Sequence, residues 1–234
     1  MRWLPLRYAR WMIRDLALAQ FALVVAIAVL TGIVLTQVSP SPTAADGPMI
    51  IAQMLNSLGW IIVLTCVGGI VATDRTQGFY RTAFSRPVSP VGYYLQRWVL
   101  GGVVAALVVP VLSLGIMAAV GGFPMPWNLA GSLLLLYLLL GGLCFLFSTL
   151  TRLDWLFAIS VMIMQNILHQ LRDRGLSPFW RTLESLLPPF HLADYRGPLP
   201  TGAGLLHILL YGAGLLALAL AILRWRPLGV GGRS

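Results

Sequence analysis

Apolar and polar residues alternate along this chain in blocks rather than at single positions. Long runs of Leu, Val, Ile, Ala and Gly are interrupted by shorter stretches that carry arginine or proline. A helix needs about 20 mostly apolar residues to cross about 30 Å of hydrocarbon with every backbone group bonded inside the segment. Six runs approach that length: 16–38, 49–73, 98–120, 129–150, 155–171 and 202–223. The fifth is the shortest and ends in His169, Gln170 and Leu171, which predicts a span that tilts little or stops short of the far interface. The expected fold is all-α, a polytopic membrane protein with six transmembrane helices in one domain over 1–234. The first apolar run has no small-residue cleavage site in the right position, so its helix is expected to be retained.

Three stretches outside the spans have helical patterning of their own. In 1–15, Arg7, Arg10 and Arg14 share one face while Leu4, Tyr8 and Trp11 share another, the pattern of a helix lying in the membrane interface before the chain turns inward. The same arginines would also serve simply to set topology. In 74–92, Phe79, Tyr80, Ala83 and Phe84 form an apolar face and Arg75, Gln77, Arg81 and Ser85 a polar one. Pro87 ends that short helix, and Ser89 followed by Pro90 reads as the N-cap and first position of the next. In 172–201, Ser177-Pro178 starts a helix whose apolar face is Phe179, Trp180, Leu183, Leu186 and Leu187. Arg181 and Glu184 pair on its other face, and Pro188-Pro189 stop it.

Composition narrows the class. With 58% hydrophobic and 10% charged residues the chain is too apolar for an ordinary soluble domain. All 16 basic residues are arginine. Twelve of them precede the first span, lie between spans two and three, sit at Arg152 between four and five, or follow the sixth, whereas 39–48 and 121–128 have none; the other four, Arg172, Arg174, Arg181 and Arg196, fall in the longer segment 172–201, which the positive-inside rule constrains weakly. By the positive-inside rule both termini and the arginine-bearing short loops are cytoplasmic, and 172–201 lies outside. The net charge of +9 thus reads as topology and contact with anionic lipid, not nucleic-acid binding. Cys66 and Cys144 fall within apolar spans and read as buried thiols.

Polar residues inside spans are costly and face a cavity or another helix. Gln53 and Asn56 in span two, and Gln165, Asn166 and His169 in span five, are candidates to line a pathway; hydrogen bonding between helices explains them equally well. The pairs Gly68-Gly69, Gly101-Gly102 and Gly141-Gly142, with Gly202, Gly204, Gly212 and Gly214, are read as places where helices approach closely.

Asp74 at the end of span two, then Gly78, Arg81, the turn Arg86-Pro87-Val88-Ser89-Pro90 and the aromatic helix start Tyr93-Tyr94 resemble the permease subunit of ABC-2-type transporters. The likeness extends to the architecture of the whole chain. It implies that 74–92 contains a coupling helix docking on a nucleotide-binding subunit, with Asp74, Arg75, Gly78, Phe79, Arg81, Phe84, Arg86 and Pro87 forming or orienting the contact. It implies also that the outer segment is an interfacial or re-entrant gate, placing Phe179, Trp180, Leu183, Phe190, His191 and Tyr195 near the exit. The function it implies is an ATP-driven exporter of a lipid-like or amphiphilic substrate in a prokaryotic inner (plasma) membrane.

No G-x-x-x-x-G-K-[ST] loop occurs and no polar segment is long enough for an ATPase domain. The chain itself is therefore not expected to be an enzyme. ATP and Mg would belong to separate cytoplasmic ABC ATPase subunits, two of them, beside a second permease copy or a related chain. Two other classes stay open. An integral membrane enzyme acting on lipid or peptide would need a converging nucleophile and base, and neither G-x-S-x-G nor H-E-x-x-H is present; His169, His191 and His207 are scattered in sequence. A non-transporting anchor for an ATPase would keep the coupling segment without a polar pathway.

Overall fold

The structure, a computed structural model, describes residues 6–38, 59–72, 74, 89–108, 110–111, 128–172, 175, 177–193 and 199–225. Among these the secondary structure is helical, with no strand. The helices are α1 (Leu6–Val38), α2 (Gly59–Val67), α3 (Pro90–Val103), α4 (Asn128–Leu136), α5 (Gly142–Leu150), α6 (Asp154–Leu171), α7 (Pro178–Leu186) and α8 (Ala203–Trp225). A π turn at Tyr137–Gly141 joins α4 to α5 in one rod, another at Val104–Val108 extends α3, and Phe190–Ala193 forms a 3-10 turn. Two helices are long and apolar enough to cross a membrane, Ala130–Leu150 and Ala203–Trp225; six such helices are not seen among the described residues.

α5 is the centre of the bundle, packed between α6 and α8, while α1, α2 and α3 pack on one another beside it. The core joins Val63, Val67, Ile70, Tyr94, Tyr137, Leu139, Leu140, Phe145 and Ile208, all essentially inaccessible. The outward surface is also apolar: Leu206, Leu210 and Leu218 on α8, and Trp155, Ile163 and Ile167 on α6, are exposed. A water-soluble chain rarely presents so much contiguous apolar area.

Three expectations change. The helix expected along the surface in 1–15 does not turn before the first span: α1 runs unbroken for 33 residues, with no proline inside it to break the hydrogen-bond ladder. Span two does not run helically to residue 73, because α2 ends at Val67 and the chain turns through Gly68–Val71. Gly69 adopts φ +69°, the left-handed conformation that glycine takes without steric cost at a helix end. Gly68-Gly69 is therefore a helix stop, not a packing pair, and Gly202 at φ +57° likewise precedes α8 as a turn residue. Residues 49–58 of the expected second span, and 109 and 112–120 of the third, lie outside the described residues.

The remaining glycine pairs do pack, whereas Gly214, expected to allow a close approach, has nothing within 4 Å of where a Cβ would lie. The Tyr137 ring lies in a slot where a Cβ at Gly101 would meet its hydroxyl at 2.6 Å and one at Gly102 would meet its ring at 3.0 Å. The Tyr137 hydroxyl donates to the carbonyl of Trp98. On the other side, a Cβ at Gly212 would come within 3.1 Å of the Leu138 carbonyl, so α8 closes on the α4–α5 rod at backbone distance. The π turn after α3 precedes Pro110, whose missing N–H already interrupts the ladder within one turn. A further polar tie, unremarked in the sequence, is Gln20 on α1. It is fully buried, and its Nε2 donates to Thr65 Oγ1 and, at 3.4 Å, to the Ile62 carbonyl on α2.

Candidate functional site

Two polar centres occupy opposite ends of α6. At the end where α6 begins, α2 has just unwound, and each backbone N–H freed by a turn in an apolar surrounding requires an acceptor. Ser148 on α5 supplies one, its Oγ accepting from Val71 and Ala72 at 3.0 Å each. Asp154, the first residue of α6, supplies the other: its Oδ2 accepts from the Gly69 N–H at 2.8 Å and lies 3.7 Å from Cys144 Sγ. Asp154 is 1% exposed, and its carboxylate also faces the partial positive charge of the α6 N-terminus. Sequence reading passed over it, although an aspartate opening an apolar helix was a visible signal.

Two residues beyond this turn lies Asp74, 3% exposed. Its Oδ1 pairs with Arg97 of α3 at 2.9 Å, and the same guanidinium reaches the Ile70 carbonyl at 3.4 Å. Tyr93, one turn before Arg97, has its phenol pushed up by burial and then by the Asp74 charge, so it stays protonated beside that carboxylate. Ser89 is the N-cap of α3, its Oγ accepting from the Gly92 N–H at 3.1 Å, with Pro90 in the first turn. Both features follow the sequence expectation. Asp74 points inward to Arg97, a geometry that fits orienting a neighbouring segment and not touching a partner. Arg75, Gly78, Phe79, Arg81, Phe84, Arg86 and Pro87 lie outside the described residues.

The other end of α6 carries the second centre. Gln165 and His169, expected to share a face, both do so and both meet His191. The Gln165 amide Nε2 donates to His191 Nδ1 at 2.8 Å, and the His169 and His191 rings stack with centroids 4.0 Å apart and planes 9° from parallel. His169 Nδ1 donates in turn to Glu184 Oε1 on α7 at 3.1 Å, with Arg172 at 3.9 Å from the same oxygen. The expected Arg181–Glu184 pair is replaced by these contacts, because Glu184 turns towards α6 while Arg181 is exposed. The histidines that looked scattered in sequence are thus brought together, two in contact and His207 near enough to act on His191 electrostatically. Nothing in the spacing of residues 169 and 191 could have shown this, since a turn and a helix separate them.

The other candidates divide. Asn166 is exposed on the outer side of α6 and takes no part in the cluster. Phe179 and Trp180 are 68% and 43% exposed, Leu183 is half-buried, and Phe190 is buried at 5% against the core. The α7 face therefore looks outward, and the turn after it looks in. Gln53, Asn56 and Tyr195 lie outside the described residues. Among the described residues no group of His, Cys, Asp and Glu side chains is arranged to hold a metal ion.

Asp154→Ala should destabilise the chain by about 2–3 kcal/mol, the range for losing a hydrogen bond to a charged group together with the burial of an unpaired N–H. The loss should appear in melting of the detergent-solubilised chain followed with a thiol-reactive dye, because Cys66 and Cys144 are both buried until it unfolds.

Compared with protein-family models, with curated proteins and with solved structures, the chain matches none.

Proposed function

We propose that this chain is the transmembrane permease subunit of an ATP-driven ABC exporter, coupled to separate cytoplasmic ATPase subunits and working with a second permease chain on a lipid-like or amphiphilic substrate. The sequence likeness of 74–92 to an ABC-2 coupling segment is one support. The observation that carries the reading is the 2.9 Å Asp74–Arg97 pair, which ties the residue before 75–88 to the helix that follows it, two turns into α3. A segment anchored in this way can pass a push from a docked partner into the bundle instead of absorbing it as loop motion.

The path of such a push is short. Asp74 lies two residues beyond the turn whose N–H groups are held by Ser148 of α5 and Asp154 of α6. Displacing the turn would therefore load α6 at its first residue. Its last turn, about 22 Å away at 1.5 Å per residue, carries His169 and the outer cluster. ATP-driven closure of the partner would thus bias two arrangements of the bundle, a population shift and not chemistry in this chain.

The test is recovery from native membranes in mild detergent. The wild-type chain should bring down an ATPase, and Arg81→Ala combined with Arg86→Ala should lose it while keeping the wild-type melting temperature. These arginines are better probes than Asp74, whose removal disturbs the buried pair. A well-folded wild-type preparation without any ATPase would sink the reading.

A further inference from the structure

The cluster at the end of α6 is more than a set of interhelical hydrogen bonds, because two stacked imidazoles cannot both carry charge without opposing each other. One proton is accommodated: His169 Nδ1–H donates to the Glu184 carboxylate, whose side chain is 9% exposed. The second ring is differently placed. Gln165, 1% exposed, directs its Nε2–H at His191 Nδ1, a bond that needs the free lone pair of a neutral ring. The Gln165 Oε1 has no hydrogen-bond partner among the described residues, so the amide meets His191 through its donor.

We propose that the His169–His191 stack is a proton-operated clasp. With at most one proton on the pair it holds the 3-10 turn Phe190–Ala193 and α7 against the end of α6, and a second proton releases them. A proton arriving at His191 Nδ1 would confront the Gln165 N–H at 2.8 Å and the His169 ring at 4.0 Å. Rotating the Gln165 amide would offer Oε1 to the new N–H but leave the new charge stacked on the His169 ring.

The groups acting on His191 from each side agree with this direction. Burial pushes its imidazolium below the ordinary value of 6.5, and the next influence is His169 on α6. Arg172 beyond α6 and His207 on α8 act the same way, and among the described residues Glu184 on α7 opposes them. α4, which also packs on the 3-10 turn, has no ionisable side chain. The sign follows. Above the ordinary value the ring is neutral whether the clasp is open or closed, and pH has no effect. As pH falls through 6.5 the open form takes up the proton first, and the closed form loses ground by up to about tenfold per pH unit until the closed-state ring also protonates.

The experiment is hydrogen exchange of the full chain in lipid nanodiscs at about pH 8 and about pH 5, either side of an ordinary histidine, with rates corrected for intrinsic exchange. The reporters are the Leu192 amide, bonded to the Pro189 carbonyl, and the Leu187 amide, bonded to that of Glu184. In wild type their protection should fall at the acid pH, by up to about tenfold for each pH unit below the ordinary value, while amides in α5 keep theirs. His191→Gln, neutral at every pH, should abolish the fall, and His169→Phe, which keeps a stacked ring without a charge, should reduce it. The proposal is overturned if wild-type protection does not change with pH, or if whichever variant folds retains the full wild-type dependence.

Discussion

Arg97→Ala should be among the most damaging single substitutions in the described part of this chain, at a cost of about 3 kcal/mol or more, because it strands a buried carboxylate without its counter-charge. The Asp74 side chain is 4% exposed, whereas that of Arg97 is 29% exposed. The pair is therefore asymmetric. Removing Asp74 leaves a guanidinium that can turn towards water or lipid headgroups, so Asp74→Asn should cost clearly less than Arg97→Ala. Adding Asp74→Asn to Arg97→Ala should restore much of the loss, since the stranded charge is then gone. The measurement is a double-mutant cycle on unfolding of the purified chain, followed through dye labelling of Cys66 and Cys144. Equal costs for the two single substitutions, or an Arg97→Ala chain as stable as wild type, would show that the pair is not buried in the way described.

Gly101→Ala should be the second large effect, and a methyl group suffices to produce it. The added Cβ would lie 2.6 Å from the Tyr137 hydroxyl and 2.8 Å from the Cys66 carbonyl oxygen. The tyrosine could swing aside only by giving up its bond to the Trp98 carbonyl, and the second obstacle is backbone in the last turn of α2. Overpacking of this kind costs about 1–3 kcal/mol, and here α2, α3 and the α4–α5 rod would all have to separate. Gly214→Ala provides the comparison, because a Cβ there meets nothing within 4 Å. That change should be neutral or stabilising by about 0.5–1 kcal/mol, the helix preference of alanine over glycine. If the two substitutions behave alike in the same melting assay, the close approach of α2, α3 and Tyr137 is refuted.

Both predictions show where reading the chain succeeds and where it stops. Gly101-Gly102 was legible as a close approach, because small residues in an apolar helix have few other uses. Gly68-Gly69 carries the same letters and does the opposite, ending α2. What separates them is the company each keeps in space: Tyr137 and a carbonyl lie over Gly101, whereas Ser148 and Asp154 stand ready to accept the N–H groups that Gly69 sets free. The N-cap at Ser89 was legible because a cap is a local device spanning three residues. Asp74 was legible as important, but its partner Arg97 was not, since that choice depends on how α3 returns past α2.

The outer cluster shows the same division. Gln165 and His169 could be assigned to one face from the helical period alone, whereas Arg181 as the partner of Glu184 was a local inference that a distant competitor defeats. An exposed pair along a helix is worth about 0.3–0.5 kcal/mol, so the partly shielded contact of Glu184 with His169 and Arg172 readily displaces it.

By itself the sequence determined the helical character of the described residues, the approximate course of the two apolar helices long enough to cross a membrane, the capped start of α3 and the start and stop of α7. All of these rest on hydrophobic period, proline and capping chemistry acting within a few residues. Only the tertiary structure decided that α1 continues without a break, that α2 unwinds onto Asp154 and Ser148, that Asp74 faces Arg97, and that His169 stacks on His191. The physical reason is common to all four: in an apolar surrounding each polar group must find a partner. Which partner it finds is set by the packing of helices distant in sequence, not by its neighbours in the chain.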